Sequence, residues 1–219
     1  PKLMYKAVAW EGAPRAEELT TELHPGTADE IEVRYREGKR YVKVYTEISP
    51  RGGEQKPLPL REKGVYLITG GTGGLGMIFA EYLAKKTRPI LVLAGRTPLN
   101  EGKQALLDRL KPNAAEVSYI EADIAKPGEV EKLVREVKNR YRHIDGIIHS
   151  AGVIRDAFIL KKTKEQVDEV LAPKVYGTTW LDEATKNEPL DFFVLFASAS
   201  GILGNIGQGD YDYANHYMA

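Results

Sequence analysis

The sequence predicts an α/β fold, a doubly wound parallel sheet preceded by a small β-rich segment, on three observations. From Val65 onward, short β-branched apolar runs alternate with longer amphipathic stretches, the pattern of parallel strands joined by helical crossovers. A glycine cluster sits between the first such run and the first such stretch. Residues 1–60 lack this alternation and carry instead two short runs of period two.

Taken in order, Glu11 to Glu22 reads as an irregular acidic stretch. In Ile31–Arg36 the residues Ile31, Val33 and Tyr35 share one side while Glu32, Arg34 and Arg36 share the other; Glu37-Gly38-Lys39 supplies a reversal into Tyr41–Ile48. The Pro, Gly and charge of Ser49 through Leu60 suit an extended connector, which places a domain boundary near residue 60. Beyond it, strands are expected at Val65–Thr69, Ile90–Ala94, Glu116–Glu121, Ile144–His149 and Phe192–Ser198. Helices are expected at Leu75–Lys86, Asn100–Leu110, Pro127–Arg142 and over a long span Thr163–Lys186 bent at Pro173.

Composition narrows the function. The chain has 219 residues, enough for a core and a cleft, with 31 basic and 31 acidic side chains. A net charge of zero gives no field for nucleic acid, and Phe192–Gly204, the most apolar stretch, is too short to cross a bilayer. With no cysteine there is no disulfide, thiolate metal site or cysteine nucleophile. His24, His143, His149 and His216 show no metal-ligand spacing, so no metal is expected, and a cytoplasmic location is the simplest reading.

The chemistry begins at Thr69-Gly70-Gly71-Thr72-Gly73-Gly74-Leu75-Gly76, a strand–turn–helix junction. Gly71, Gly73 and Gly76 fit G-x-G-x-x-G, and Gly70, Gly74 and Gly76 fit G-x-x-x-G-x-G; either lets the backbone approach a pyrophosphate at a helix amino terminus. Arg96-Thr97 follows the second strand, 20 residues after Gly76, and no carboxylate stands there. An Arg at that place pairs with a ribose 2′-phosphate, so NADPH is expected over NADH. Asp123 and Ile124 close the third strand, with the Asp123 carboxylate placed to meet an adenine amino group, and Ser150-Ala151-Gly152 close the fourth; these strand ends are where such sheets bind ligands.

At the fifth strand's end stands Phe196-Ala197-Ser198-Ala199-Ser200-Gly201; Tyr211 lies 13 residues past Ser198, and Asn215 follows it at i+4 on the same helical face. Over residues 61–219 the chain resembles the short-chain dehydrogenase/reductase superfamily, and more closely the ketoreductase domains of modular polyketide synthases and animal-type fatty acid synthases. Most of the superfamily carries Tyr-x-x-x-Lys; here Asn occupies that place, and a Lys stands upstream in Leu171-Ala172-Pro173-Lys174-Val175, the exchange characteristic of synthase ketoreductases. The resemblance implies a Rossmann-like fold and maps Ser198, Tyr211, Lys174 and Asn215 onto the family's catalytic set. Tyr211 is then the proton donor, Lys174 the cation that stabilises a phenolate, Ser198 the carbonyl ligand and Asn215 the residue that orders the proton supply.

It also implies NADPH as hydride donor and a β-ketoacyl thioester on the phosphopantetheine arm of an acyl carrier protein, with neighbouring synthase domains as partners. The B-type Leu-Asp-Asp motif corresponds to Ile154-Arg155-Asp156, where Asp156 alone is kept, and Leu203 stands where A-type domains carry Trp; this leans to a B-type, D-configured product. Residues 1–60 resemble a shortened form of the structural subdomain preceding such reductases, with Met4 to Trp10 like its opening strand and the 31–48 hairpin like its end. The family continues past the position of Ala219 into further strands and a substrate lid, so the catalytic domain is expected to be incomplete at its carboxyl end. Two other readings stand beside the reductase: a non-catalytic ketoreductase-like scaffold, and a free-standing reductase of small ketones or sugars.

Overall fold

The computed structural model describes residues 6–27, 30–47 and 57–219. Contacts divide the chain into two units, Pro1–Lys56 and Pro57–Ala219. The expected connector, most of which falls at residues 49–56, and the residues Met4, Tyr5 and Ile48 lie outside the described residues.

In the first unit, β1 (Ala7–Trp10) pairs in parallel with β2 (Glu32–Arg36), which turns into β3 (Lys39–Val42). The reversal is tighter than the sequence suggests: Glu37 and Gly38 both take positive φ, 50° and 71°, and Lys39 already pairs with Arg36. That two-residue turn matches the twist of the flanking strands. Val33 and Tyr35 are buried as their alternation requires, and Tyr35 stacks on Trp10 with ring centroids 5.8 Å apart. The acidic stretch is not irregular throughout, since α1 (Ala16–Glu22) forms within it. Glu17 and Glu18 in its first turn complement the helix dipole, while its exposed Leu19 leaves no apolar stripe for a sequence reading to detect.

The second unit is a five-stranded parallel sheet in the order β6-β5-β4-β7-β8, formed by β4 (Val65–Thr69), β5 (Ile90–Gly95), β6 (Glu116–Glu121), β7 (Gly146–His149) and β8 (Phe192–Leu195). The helices are α2 (Gly74–Thr87), α3 (Glu101–Leu110), α4 (Pro127–Tyr141), α5 (Lys164–Leu171), α6 (Gly177–Thr185), α7 (Ser200–Leu203) and α8 (Gly209–Met218). Period-two alternation along the buried strands sorts two cores. Val65, Leu67 and Val92 pack with Val130, Leu133, Val137 and Leu181 on one face; Tyr66, Ile68, Leu91 and Leu93 pack with Met77, Ala80, Leu107 and Leu110 on the other. Chain order reverses between β4 and β7, so the connections leaving their carboxyl ends run in opposite directions and leave a cleft between them.

Two expected elements differ. The long helix is three pieces: α5 starts at a Thr163/Gln166 capping box, and a π-helical turn, Ala172–Tyr176, joins it to α6. Pro173 has no N–H to give the ladder, and the chain accommodates it by widening the turn rather than by a simple bend. The last strand stops at Leu195, three residues short of Ser198, because the Phe196 carbonyl is taken by a side chain described below.

Candidate active site

The glycine turn brings backbone to backbone. Gly70 lies at φ +65°, and a Cβ on it would come within 2.8 Å of the Ala151 backbone; one on Gly76 would come within 2.5 Å of the Gly70 carbonyl oxygen. The N-cap of α2 is Gly73, with no side-chain cap, so the first N–H groups of that helix are left for a ligand. In front of it lies a cleft of about 630 Å³. Of the residues expected to bind a cofactor, Gly70, Thr72, Gly73, Arg96, Thr97, Asp123, Ile124, Ser150, Ala151 and Gly152 line it. Gly71, Gly74, Leu75 and Gly76 shape the turn without lining the cleft, and Thr69 is buried beneath it. The Asp123 Oδ1 accepts the Ala125 N–H at 3.1 Å, which holds the carboxylate at the strand end.

Below the turn, His149 bridges two elements. Its Nε2 lies 2.9 Å from the Pro173 carbonyl, which only accepts, so Nε2 carries the proton and Nδ1 accepts the Thr69 hydroxyl at 2.6 Å. Burial pushes its pKa down to about 4, keeping the ring neutral. The next residue in the π-helical turn is Lys174, only 5% exposed. Its Nζ donates to the Phe196 carbonyl at 2.7 Å, touches the Met218 sulfur at 3.8 Å and lies 5.6 Å from the Tyr211 ring centroid. Burial lowers its pKa to about 8.

Asn215 is fully buried on α8; its Nδ2 donates to the Tyr211 carbonyl at 2.7 Å, and its buried Oδ1 has no hydrogen-bond partner among the described residues. Tyr211 is half-buried on the same helix. Ser198 stands in the loop between β8 and α7, where its Oγ accepts from the Ser200 hydroxyl at 3.0 Å and the Ser200 N–H at 3.2 Å. Thus Lys174, Tyr211 and Asn215 form one cluster, with Ser198 two residues past the carbonyl that holds Lys174.

A clasp that the sequence did not disclose joins the loop after β7 to the residues before Tyr211. The Ala157 N–H donates to the Gly207 carbonyl at 3.0 Å, and the Gln208 amide donates to both Asp156 carboxylate oxygens. Lys162 Nζ donates to Asp210 Oδ1 at 2.5 Å, a pair almost wholly buried, and that same oxygen caps the Tyr211 N–H at 2.9 Å. Partners 48 positions apart leave no local spacing to read. Leu203, by contrast, is 67% exposed.

A profile of the KR domain family matches residues 64–219, which contain the turn, the cleft and the cluster. The chain belongs to that family. These ketoreductase domains are the polyketide-synthase branch of the short-chain dehydrogenase/reductase superfamily, and the Rossmann-like sheet agrees with it. Polyketide synthase PksL of Bacillus subtilis (strain 168) is 49% identical over 189 residues, covering 85% of this chain and 4% of that protein. Polyketide synthase PksN of the same organism is 45% identical over 187 residues, again covering 85% of this chain and 3% of the relative. The chain therefore spans only a few per cent of the length of these relatives. Among solved structures, a ketoreductase domain from the bacillaene assembly line superposes with a TM-score of 0.88 at 42% identity, covering 99% of this chain and 52% of that one. The first ketoreductase of the tylosin polyketide synthase gives 0.75 at 31% identity, covering 93% and 43%. Membership implies an oxidoreductase using a nicotinamide cofactor, and the uncapped helix end with its glycine turn fits a dinucleotide. Among the described residues no helix is long and apolar enough to cross a membrane.

Proposed function

We propose that the chain reduces the keto group of a β-ketoacyl thioester, carried on the phosphopantetheine arm of an acyl carrier protein, to the β-hydroxyacyl thioester. The observation that carries this reading is the Lys174 ammonium, buried between the Phe196 carbonyl and the Tyr211 ring. Bound in the cleft, NADPH supplies the hydride that goes to the carbonyl carbon. Of the cleft residues, Gly70, Thr72, Gly73, Ser150, Ala151 and Gly152 would hold its pyrophosphate and nicotinamide ribose, Asp123 and Ile124 its adenine, and Arg96 with Thr97 its 2′-phosphate. Exposed Arg96 has no carboxylate partner among the described residues, which suits it to an incoming phosphate.

The chain's own groups handle the oxygen. Ser198 donates a hydrogen bond to the substrate carbonyl and fixes it beside Tyr211. The Tyr211 hydroxyl gives its proton to that oxygen as negative charge builds there, and the Lys174 charge stabilises the phenolate left behind. Asn215 Oδ1, a buried acceptor without a partner among the described residues, orders the donor that returns a proton to Tyr211. The partial B-type motif, in which Asp156 is held by Gln208, together with Leu203 in place of the A-type Trp, supports a D-configured hydroxyl. The first unit is read as a remnant of the structural subdomain that precedes such domains, and neighbouring synthase domains are the implied partners.

The test is NADPH oxidation with a short β-ketoacyl thioester, followed by chiral analysis of the product. Turnover to the D-hydroxyl is expected. An L-hydroxyl product overturns the stereochemical assignment alone, and inertness with a folded protein that binds NADPH overturns the catalytic reading in favour of a scaffold.

A further inference from the structure

Behind the Arg96–Thr97 end of the cleft stands a second cation that neither the glycine turn nor the strand-end Arg predicts. Lys103 lies in the first turn of α3, where an ammonium opposes the helix dipole. It is half-buried, and no carboxylate pairs with it among the described residues. Its Nζ reaches neutral oxygens instead: the Thr97 carbonyl and Oγ1, each at 2.5 Å, the Pro98 carbonyl at 2.8 Å and the Tyr119 hydroxyl at 3.0 Å. It also lies 4.7 Å from the Tyr119 ring centroid. The Tyr119 hydroxyl in turn donates to the Thr97 carbonyl at 2.5 Å.

The ammonium brings three hydrogens to these four oxygens, so at least one hydrogen is shared. Because an ammonium only donates, Thr97 Oγ1 accepts from it, and the hydroxyl's own hydrogen has no acceptor among the described residues. Thr97 lines the cleft beside Arg96 and Tyr119. The strand end therefore combines Arg96, a cation open to the cleft, with the Lys103 charge behind the loop and one hydroxyl polarised to donate, which suits a dianion.

We propose that Lys103 is a specificity-determining residue for the 2′-phosphate, acting by adding positive charge behind the loop and by turning the Thr97 hydroxyl hydrogen toward the phosphate. The inference rests on the NADPH reading above. It explains why a lysine stands where a helix start favours acidic residues.

Calorimetric titration of the whole chain with adenosine 2′,5′-bisphosphate and with adenosine 5′-monophosphate separates the inference from the reading beneath it. The wild type is expected to prefer the bisphosphate. Lys103→Met is expected to cut that preference about tenfold, with monophosphate affinity held within about twofold, and Lys103→Arg to retain most of it. Thr97→Val, nearly isosteric and at an exposed position, removes the hydroxyl and one Lys103 contact while keeping both cations, and is expected to cut it about threefold. A wild type with no preference overturns the cofactor reading and the inference together. A wild-type preference that survives both Lys103→Met and Thr97→Val, or a Lys103→Met variant that weakens both ligands alike, overturns the inference alone.

Discussion

Lys174 carries opposite consequences for stability and for turnover. Burial holds its pKa at about 8, against 10.5 for a free lysine, with desolvation as the cause. The folded value lies below the unfolded one, so between pH 8 and pH 10.5 the unfolded chain binds more protons and stability rises with pH. Linkage across that window amounts to about 2 to 3 kcal/mol between pH 7 and pH 10, and a side chain only 5% exposed needs no discount for solvent screening. The chemistry needs the charged form, so turnover falls over the same range. The perturbation is Lys174→Met, which removes the titrating group while preserving most of the packing. Urea midpoints for wild type and variant at pH 7 and pH 10 give the stability difference, and NADPH oxidation by the wild type gives the rate profile. The variant's stability relative to wild type is expected to drop by that amount on going to pH 10, while wild-type turnover declines with a midpoint near pH 8. A difference independent of pH would refute the buried-ammonium argument; a rate that climbs through pH 8 would refute the role of its charge.

Two further outcomes follow from the surrounding groups. His149, held at a pKa of about 4 against 6.5 in the unfolded chain, contributes stability that is complete above pH 6.5 and is lost as pH falls toward 4; urea midpoints should show a loss of about 2 kcal/mol between pH 7 and pH 4.5 that His149→Asn removes. Lys162→Met leaves the Asp210 carboxylate buried without its partner and should cost about 3 to 5 kcal/mol in a denaturant titration, with the double variant Lys162→Met/Asp210→Asn recovering part of it.

Much of this arrangement could be read from the sequence because its determinants are local. Val65–Thr69 is a β-branched and apolar run followed at once by glycines, so strand, turn and helix were legible together. Tyr211 and Asn215 share a face by spacing alone, and Arg96 is placed by the strand it ends. What escaped depends on partners remote in the chain. The strand at Phe192 was drawn too long because apolar composition continues through Phe196 and Ala197, whereas the Phe196 carbonyl is claimed by Lys174 from a π-helical turn. The helix α1 escaped because its one leucine, Leu19, is exposed and forms no apolar stripe. No spacing in the sequence marks Lys103 or Lys162, because each is set by oxygens that the fold brings to it.

The central claim is that Tyr211 delivers the proton in a nicotinamide-dependent ketone reduction. The most direct measurement is NADPH oxidation with a β-ketoacyl thioester by wild type and Tyr211→Phe, alongside NADPH binding by each. The account predicts a kcat reduced by about 100-fold or more, the contribution of a general acid, with cofactor affinity within about twofold of wild type. A Tyr211→Phe protein that binds the cofactor and turns over at the wild-type rate would contradict it.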